Sequence, residues 1–269
     1  MNHRLPATLT AFVLSIVTLC ASAAERPFAW PRGAKAAVSL AYDDAINSQL
    51  DNAIPALDKY GLKGSFYLTL SSETLVKRLP EWRAAAAGGH ELGNHTLFHM
   101  CSRKVAGHEW VTAETDIDTI TVARLAAQIR LGNTLLHAID GRTERTFTVP
   151  CGDVNAGGEP YLPAIRNEFV AIKSGPGGLV ADMRALDPYS VGVEAPQDVS
   201  GEQLISAVQA AAKGTMINFT FHGIGGDYLT VSSQAHEELL KYLAANRDIY
   251  WTDTFMNIMK YVKAQQRAP

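Results

Sequence analysis

From Lys35 onward, short apolar runs alternate with longer amphipathic stretches about seven times, and that order admits few folds. "KAAVSLAY", "GSFYLTL", "HELGNH", "RTFTV", "FVAIK", "TMINFTF" and "IYW" read as strands. Between and after them, "NSQLDNAIPALDKYGL", "LPEWRAAAAGG", "TDIDTITVARLAAQIRLGNTLLHAIDG", "EPYLPAIRNE", "SGEQLISAVQAAAKG", "SSQAHEELLKYLAANRD" and "TDTFMNIMKYVKAQQ" read as helices. Gly61 and Gly141 stand where a helix end needs left-handed backbone, and Ser200 with Gln203 has capping-box spacing. Strand and helix in alternation put the strands in a parallel sheet with helices outside it, because each parallel connection must cross over the sheet. The expectation is an α/β fold, a distorted (β/α) barrel of about seven parallel strands, with an open doubly wound sheet as the alternative. In either, the chemistry belongs at the C-terminal strand ends.

The N-terminus stands outside this pattern. Arg4 precedes an uncharged apolar run from Ala7 to Leu19, and small residues follow at Ala21, Ser22, Ala23 and Ala24, the layout of a cleavable secretory signal peptide. The run is shorter than the roughly 20 residues that span a bilayer. Cys20 follows Leu19 rather than a small residue, which argues against lipid attachment. Residues 1–24 are therefore expected to be removed, giving a secreted or periplasmic protein with no membrane span. Residues 25–269, about 245 in all, then form one domain close to the ~250 of a closed barrel. No Ser/Gly/Pro-rich linker divides them. A formal net charge of −3 without a Lys/Arg block argues against nucleic acid and anionic lipid as main partners and fits a neutral substrate. The mature chain keeps Cys101 and Cys151, and counting alone leaves a disulfide and two buried thiols both open.

Four segments at expected strand ends carry polar chemistry. Asp43 and Asp44 close the first strand, where a helix-capping turn is the plainer explanation of either aspartate alone. In "GNHTLFHM", His95 and His99 are four apart, so one helical turn or a helical loop points both imidazoles the same way. Two imidazoles and a carboxylate suit Zn²⁺ or a related divalent ion and leave positions open for water and substrate. "TVPCGD" offers a Pro-x-Gly turn whose N–H groups suit an oxyanion, and His222 in "FTFHGIGGD" leaves an apolar strand into a glycine-rich exit. His90, His108, His137 and His236 have no such context and are read as structural.

In order and spacing these segments resemble the polysaccharide deacetylase family, which includes chitin and peptidoglycan deacetylases and some acetylxylan esterases. "AYDD" is similar to its T-F-D-D, "HTLFH" to H-[ST]-x-x-H, "TVPCG" to R-x-P-x-G and "FTFHG" to Leu-x-His. The resemblance implies that Asp44, His95 and His99 bind a divalent metal, commonly zinc. It makes Asp43 the general base, His222 the general acid and the Cys151 backbone N–H an oxyanion donor. A dication against Asp44 would make the adjacent carboxylates tolerable and leave Asp43 ionised to take a proton from the attacking water. If both motifs reach one rim, a Cys101–Cys151 disulfide is implied as well. Thr148 stands where many members carry arginine, Cys151 replaces an aromatic, and Asp187 in "ALDPYSV" is the nearest match by order to the aspartate that supports the acid. The substrate implied is an acetylated polysaccharide or oligosaccharide, N- or O-acetylated. Rival readings are an amide C–N hydrolase on the same scaffold and a carbohydrate-binding protein with a degenerate site. Trp110, Tyr228 and Trp251 suit sugar stacking and packing equally.

Overall fold

The structure is a computed structural model that describes Met1 and residues 28–267. The expected signal peptide therefore falls outside the described residues, apart from Met1. Strands β1 (Ala36–Asp43), β2 (Ser65–Leu68), β3 (Glu91–Asn94), β4 (Thr146–Thr148), β5 (Ala171–Pro176) and β6 (Val191–Val193) stand side by side in chain order, all parallel. β7 (Met216–Phe221) pairs with the other edge of β1, also parallel. Glu194, just past β6, bridges to β7: its N–H donates to Asn218 O at 2.9 Å and its carbonyl accepts from Thr220 N at 2.8 Å. That seam nearly closes the barrel. Lower down, Leu179–Val180 runs antiparallel to β7 instead. β8 (Tyr250–Asp253) joins below β2, pairing with Ala36–Ser39 while β2 takes Ala41–Asp43. The expected barrel is thus observed.

Every residue of β1 is buried, as a strand covered on both faces requires. Its alternation sorts two cores. Ala36, Val38, Leu40 and Tyr42 pack outward under the helices with Leu57, Leu239 and Leu243, each buried leucine contributing about 2 kcal/mol. Ala37 and Ala41 face inward with Tyr67, Met216 and Phe255. These small inward side chains leave the barrel room for larger groups from its other strands.

The outer helices are α1 (Ile54–Lys59), entered through a π turn at Gln49–Ala53, then α2 (Glu73–Lys77), α3 (Leu79–Ala87), α4 (Val122–Asp140), α5 (Leu162–Ile165), α6 (Gly201–Ala210), α7 (Ser233–Ala245) and α8 (Phe255–Gln266). Two sequence expectations are corrected. The long helix does not start at Thr115: Thr121 accepts from Arg124 N as its N-cap, and Asp116 accepts from Asp118 N to close a separate 3₁₀ turn. Both side chains compete for backbone N–H groups and so end a helix rather than continue one. The helix expected over "EPYLPAIRNE" shrinks to α5 and a 3₁₀ turn, because Glu159–Pro160 pairs with Asn155–Ala156 in a small hairpin. Among the described residues no helix is long and apolar enough to cross a membrane.

Candidate active site

A strand continued through Asp43 and Asp44 would send their side chains to opposite faces. Asp44 has φ 85° and Ala45 φ 59°, so the alternation breaks and both carboxylates reach the barrel mouth, where both are buried. Each residue held in that region costs about 1–3 kcal/mol. The turn is pinned by Asp44 N donating to Tyr67 O at 3.1 Å and by the Thr74 hydroxyl donating to Ala45 O.

His95 and His99 come from the exit of β3. Asn94 is tied outward to α4, its Nδ2 donating to Ile129 O and Asn133 Oδ1, both at 2.8 Å, so the next residue turns inward. The segment after it is not helical, contrary to the expected helical turn. Thr96 and His99 have φ 67° and 48°, and the Thr96 hydroxyl accepts from His99 N at 2.9 Å, folding the loop back. The two imidazoles still converge: His95 Nε2 and His99 Nε2 lie 3.2 and 3.1 Å from Asp44 Oδ1.

This donor set fits a divalent cation. The ligand atoms of Asp44, His95 and His99 lie within 4.8 Å of one another. His95 Nδ1–H donates to Thr148 O at 2.8 Å, which leaves the Nε2 lone pair facing Asp44 when the ring is neutral. Asp44 Oδ1 is buried without a hydrogen-bond donor. An anionic oxygen so placed between two imidazole nitrogens calls for a positive charge.

Without a metal, that charge is a proton. Burial pushes the Asp44 carboxyl up, but His95 and His99 more than offset it and hold it well below its usual value. Burial disfavours charge on His95 too, yet Asp43 and Asp44 raise its pKa above the ordinary 6.5. A raised histidine stabilises the fold fully below its unfolded pKa and loses that contribution as pH rises through the folded value. If this set holds a metal, stripping it should therefore lower the melting temperature more in alkaline than in mildly acidic buffer, where protonated His95 partly replaces it. Equal losses on chelation at both pH values would refute this.

The remaining wall comes from β4, β5 and β7. Cys101 and Cys151 are joined as a disulfide across 50 residues, with Cys101 Sγ 3.6 Å from His99 Nδ1. The turn Pro150–Gly152 has φ 55° at Cys151, which lines the mouth. His222 Nε2 lies 3.9 Å from Asp44 Oδ2. Burial lowers the His222 pKa, with Asp44 and Asp43 pulling it back up. Asp43, Asp44, His95, His99, Cys151 and His222 all line one cavity of about 1090 Å³.

Asp187 does not join them. It lies before β6, at the opposite end of the barrel, is exposed, and accepts from Tyr189 N at 2.9 Å. A residue preceding a parallel strand sits on the wrong rim, so its expected support of His222 is corrected. Trp251 packs with Trp30 and Tyr261, whereas Trp110 and Tyr228 line the cavity with about half their surface exposed. His108, read as structural, also reaches this wall.

Several groups at the site had no motif to announce them. Gln49 Nε2 donates to the carbonyls of Asp43 and His222, tying the ends of β1 and β7. The Tyr228 hydroxyl donates to Asp44 Oδ2 at 3.0 Å. Lys173 is fully buried beside Asp43, with Nζ 3.7 Å from Oδ1. Lysine is almost never fully buried unpaired, so a lysine ending the apolar run "FVAIK" was the available signal.

With this geometry in hand, residues 31–159 match the sequence profile of the polysaccharide deacetylases. The chain resembles the polysaccharide deacetylase family in sequence and in fold. Deacetylase-type barrels recur among solved structures. The Xyl-CE4 domain of a multidomain xylanase from the hindgut metagenome of Trinervitermes trinervoides aligns with TM-score 0.54 at 16% identity, over 84% of this chain and 91% of that one. The peptidoglycan deacetylase PdaC from Bacillus subtilis gives 0.51 at 18%, over 87% and 94%. A CE4 family pseudoenzyme from Bacillus anthracis gives 0.52 at 14%, over 84% and 66%. At these identities the likeness carries the fold. In sequence, a gellan lyase from Bacillus sp is 29% identical over 123 residues, 46% of this chain and only 4% of that protein.

Proposed function

We propose that this chain is an exported, metal-dependent hydrolase that removes acetyl groups from a polysaccharide or oligosaccharide. The observation that carries the reading is the buried Asp44–His95–His99 set with a second carboxylate, Asp43, beside it and His222 across the mouth. Asp44, His95 and His99 would hold the ion, which we take to be Zn²⁺. Bound there, the ion would polarise the acetyl carbonyl and make water more acidic. Asp43 takes a proton from the attacking water as its oxygen bonds to the acetyl carbon. The Cys151 N–H donates to the oxyanion that develops. His222, a stronger acid as imidazolium than an exposed histidine, protonates the leaving amine or alcohol as its bond to carbon breaks. Acetate and the deacetylated sugar result.

Export through residues 1–24, and a single catalytic domain over residues 25–269, belong to the same proposal. A disulfide bordering the site supports an oxidising compartment. Trp110 and Tyr228, exposed at the mouth, offer faces for sugar rings. The test is acetate release from acetylated chitooligosaccharides, peptidoglycan and acetylxylan, with and without added Zn²⁺. Zinc-dependent release from at least one glycan is expected. Binding without release would favour a non-catalytic carbohydrate-binding protein, and turnover confined to small amides would favour the C–N hydrolase.

A further inference from the structure

Asp43 is buried, its Oδ1 receives no hydrogen bond, and the next residue is another carboxylate. A buried carboxylate so placed keeps one direction only against a fixed partner. Among the described residues, one lysine or arginine is paired with it: Lys173, on β5. We propose that Lys173 is the positioning residue for Asp43, a fixed cation that holds this carboxylate aimed into the cavity; this rests on Asp43 acting as the base.

The surroundings of Lys173 hold its ammonium in one place. Nζ donates to Thr220 Oγ1 at 2.8 Å and stands 4.1 Å from the Tyr67 ring centroid, so β7 and β2 fix it from two sides while Asp43 takes a third. Tyr67 is itself hydrogen bonded to Thr146 Oγ1 at 2.8 Å, and Thr146 donates to buried Glu91, which extends the polar column down the barrel. The small inward residues of β1 make space for this column. A fully buried ammonium costs stability unless paired, and Asp43 is the carboxylate that stands at ion-pair distance from it. Burial brings the lysine down to about 8, while Asp43 and Glu91 work to keep it charged.

The strand register adds a second argument. Thr148 on β4 is the direct partner of Lys173 on β5, and Thr148 Oγ1 is buried without a hydrogen bond. Position 148 lines the same cavity yet brings no charge, so the cation enters from the neighbouring strand.

The test is Lys173→Met, alone and with Asp43→Asn, in the full metal-loaded chain. Lys173→Met should lower kcat at least tenfold while KM stays within about threefold and the metal content is unchanged. In the Asp43→Asn background Lys173→Met should cost no further turnover, and it should raise the melting temperature above that of Asp43→Asn, because it removes a cation left without its partner. Thr148→Arg combined with Lys173→Met should restore part of kcat. Wild-type kcat in a folded Lys173→Met, or additive melting-temperature losses in the double variant, would overturn the proposal. The melting temperatures need no substrate. Coupling without any deacetylase turnover in the wild type would refute the proposed function and the positioning role while leaving the ion pair intact. Should Lys173→Met alone not fold, the rescue of folding by Asp43→Asn decides.

Discussion

Asp43→Asn should abolish most turnover and leave the metal bound, whereas Asp44→Asn should lose the metal as well. The two aspartates are adjacent in sequence but differ in what surrounds them. Asp44 Oδ1 faces His95 Nε2 and His99 Nε2 at 3.2 and 3.1 Å, so its charge is spent on whatever those nitrogens hold. Asp43 Oδ2 is 4.0 Å from His95 Nε2, and Oδ1 turns to Lys173. An amide at position 43 keeps the shape and loses the base, a loss of at least ~10²-fold in kcat. At position 44 an amide gives the ion a neutral oxygen where it needs an anionic one. Elemental analysis beside kcat separates the two. Equal metal loss in both variants would end the division of roles. His95→Ala and His99→Ala extend the check, since stoichiometric metal in either would displace the whole ligand set.

Reducing the Cys101–Cys151 bridge is expected to have the other large effect, on stability through the unfolded chain rather than on chemistry. The bridge closes a loop of 50 residues, and the entropy it removes from the unfolded ensemble corresponds to about 4 kcal/mol before native strain is counted. For a domain of this size each kcal/mol moves the melting temperature by roughly 2–4 °C, so a fall on the order of 10 °C should follow reduction. Cys101 also backs His99 at 3.6 Å, so metal affinity should drop in the reduced protein. Melting curves with and without a non-chelating phosphine measure the first effect. Two reactive thiols per chain in denatured, unreduced protein freed of residues 1–24 would show that the bridge does not form.

Much of this arrangement was legible in the sequence, for a physical reason. Barrel strands are buried on both faces, so they read as apolar runs, and the polar residue that ends such a run is at the rim by construction. Asp43, His95, Cys151 and His222 were located that way. What could not be read depends on contacts between strands or on backbone reversal. Nothing in "YDD" says that Asp44 leaves the extended region and returns its carboxylate to the mouth. Nothing in "HTLFH" distinguishes a helical turn from a loop with two left-handed residues. Lys173 is visible only as a cation at the end of an apolar run, and its partner lies 130 residues away in the chain. Asp187 failed for the opposite reason: order in sequence suggested a match, but strand direction places it at the other end of the barrel.

The two edges of β1 and the seam at Glu194 divide the barrel mouth into unequal halves. β1 is hydrogen bonded to β7 along one edge and to β8 and then β2 along the other, so the strand that delivers both aspartates is braced by three neighbours. The seam between β6 and β7, one strand away from β1, is joined through the backbone of one residue, Glu194, which itself lines the cavity, with Asn218 Nδ2 donating to Gly192 O at 2.9 Å beside it. The strand that carries the paired aspartates is thus hydrogen bonded along both edges, while the β6–β7 junction is held at one backbone position. Under the proposed function, selectivity among glycans is then expected to be set on the β6 side of this seam, since β7 itself delivers His222.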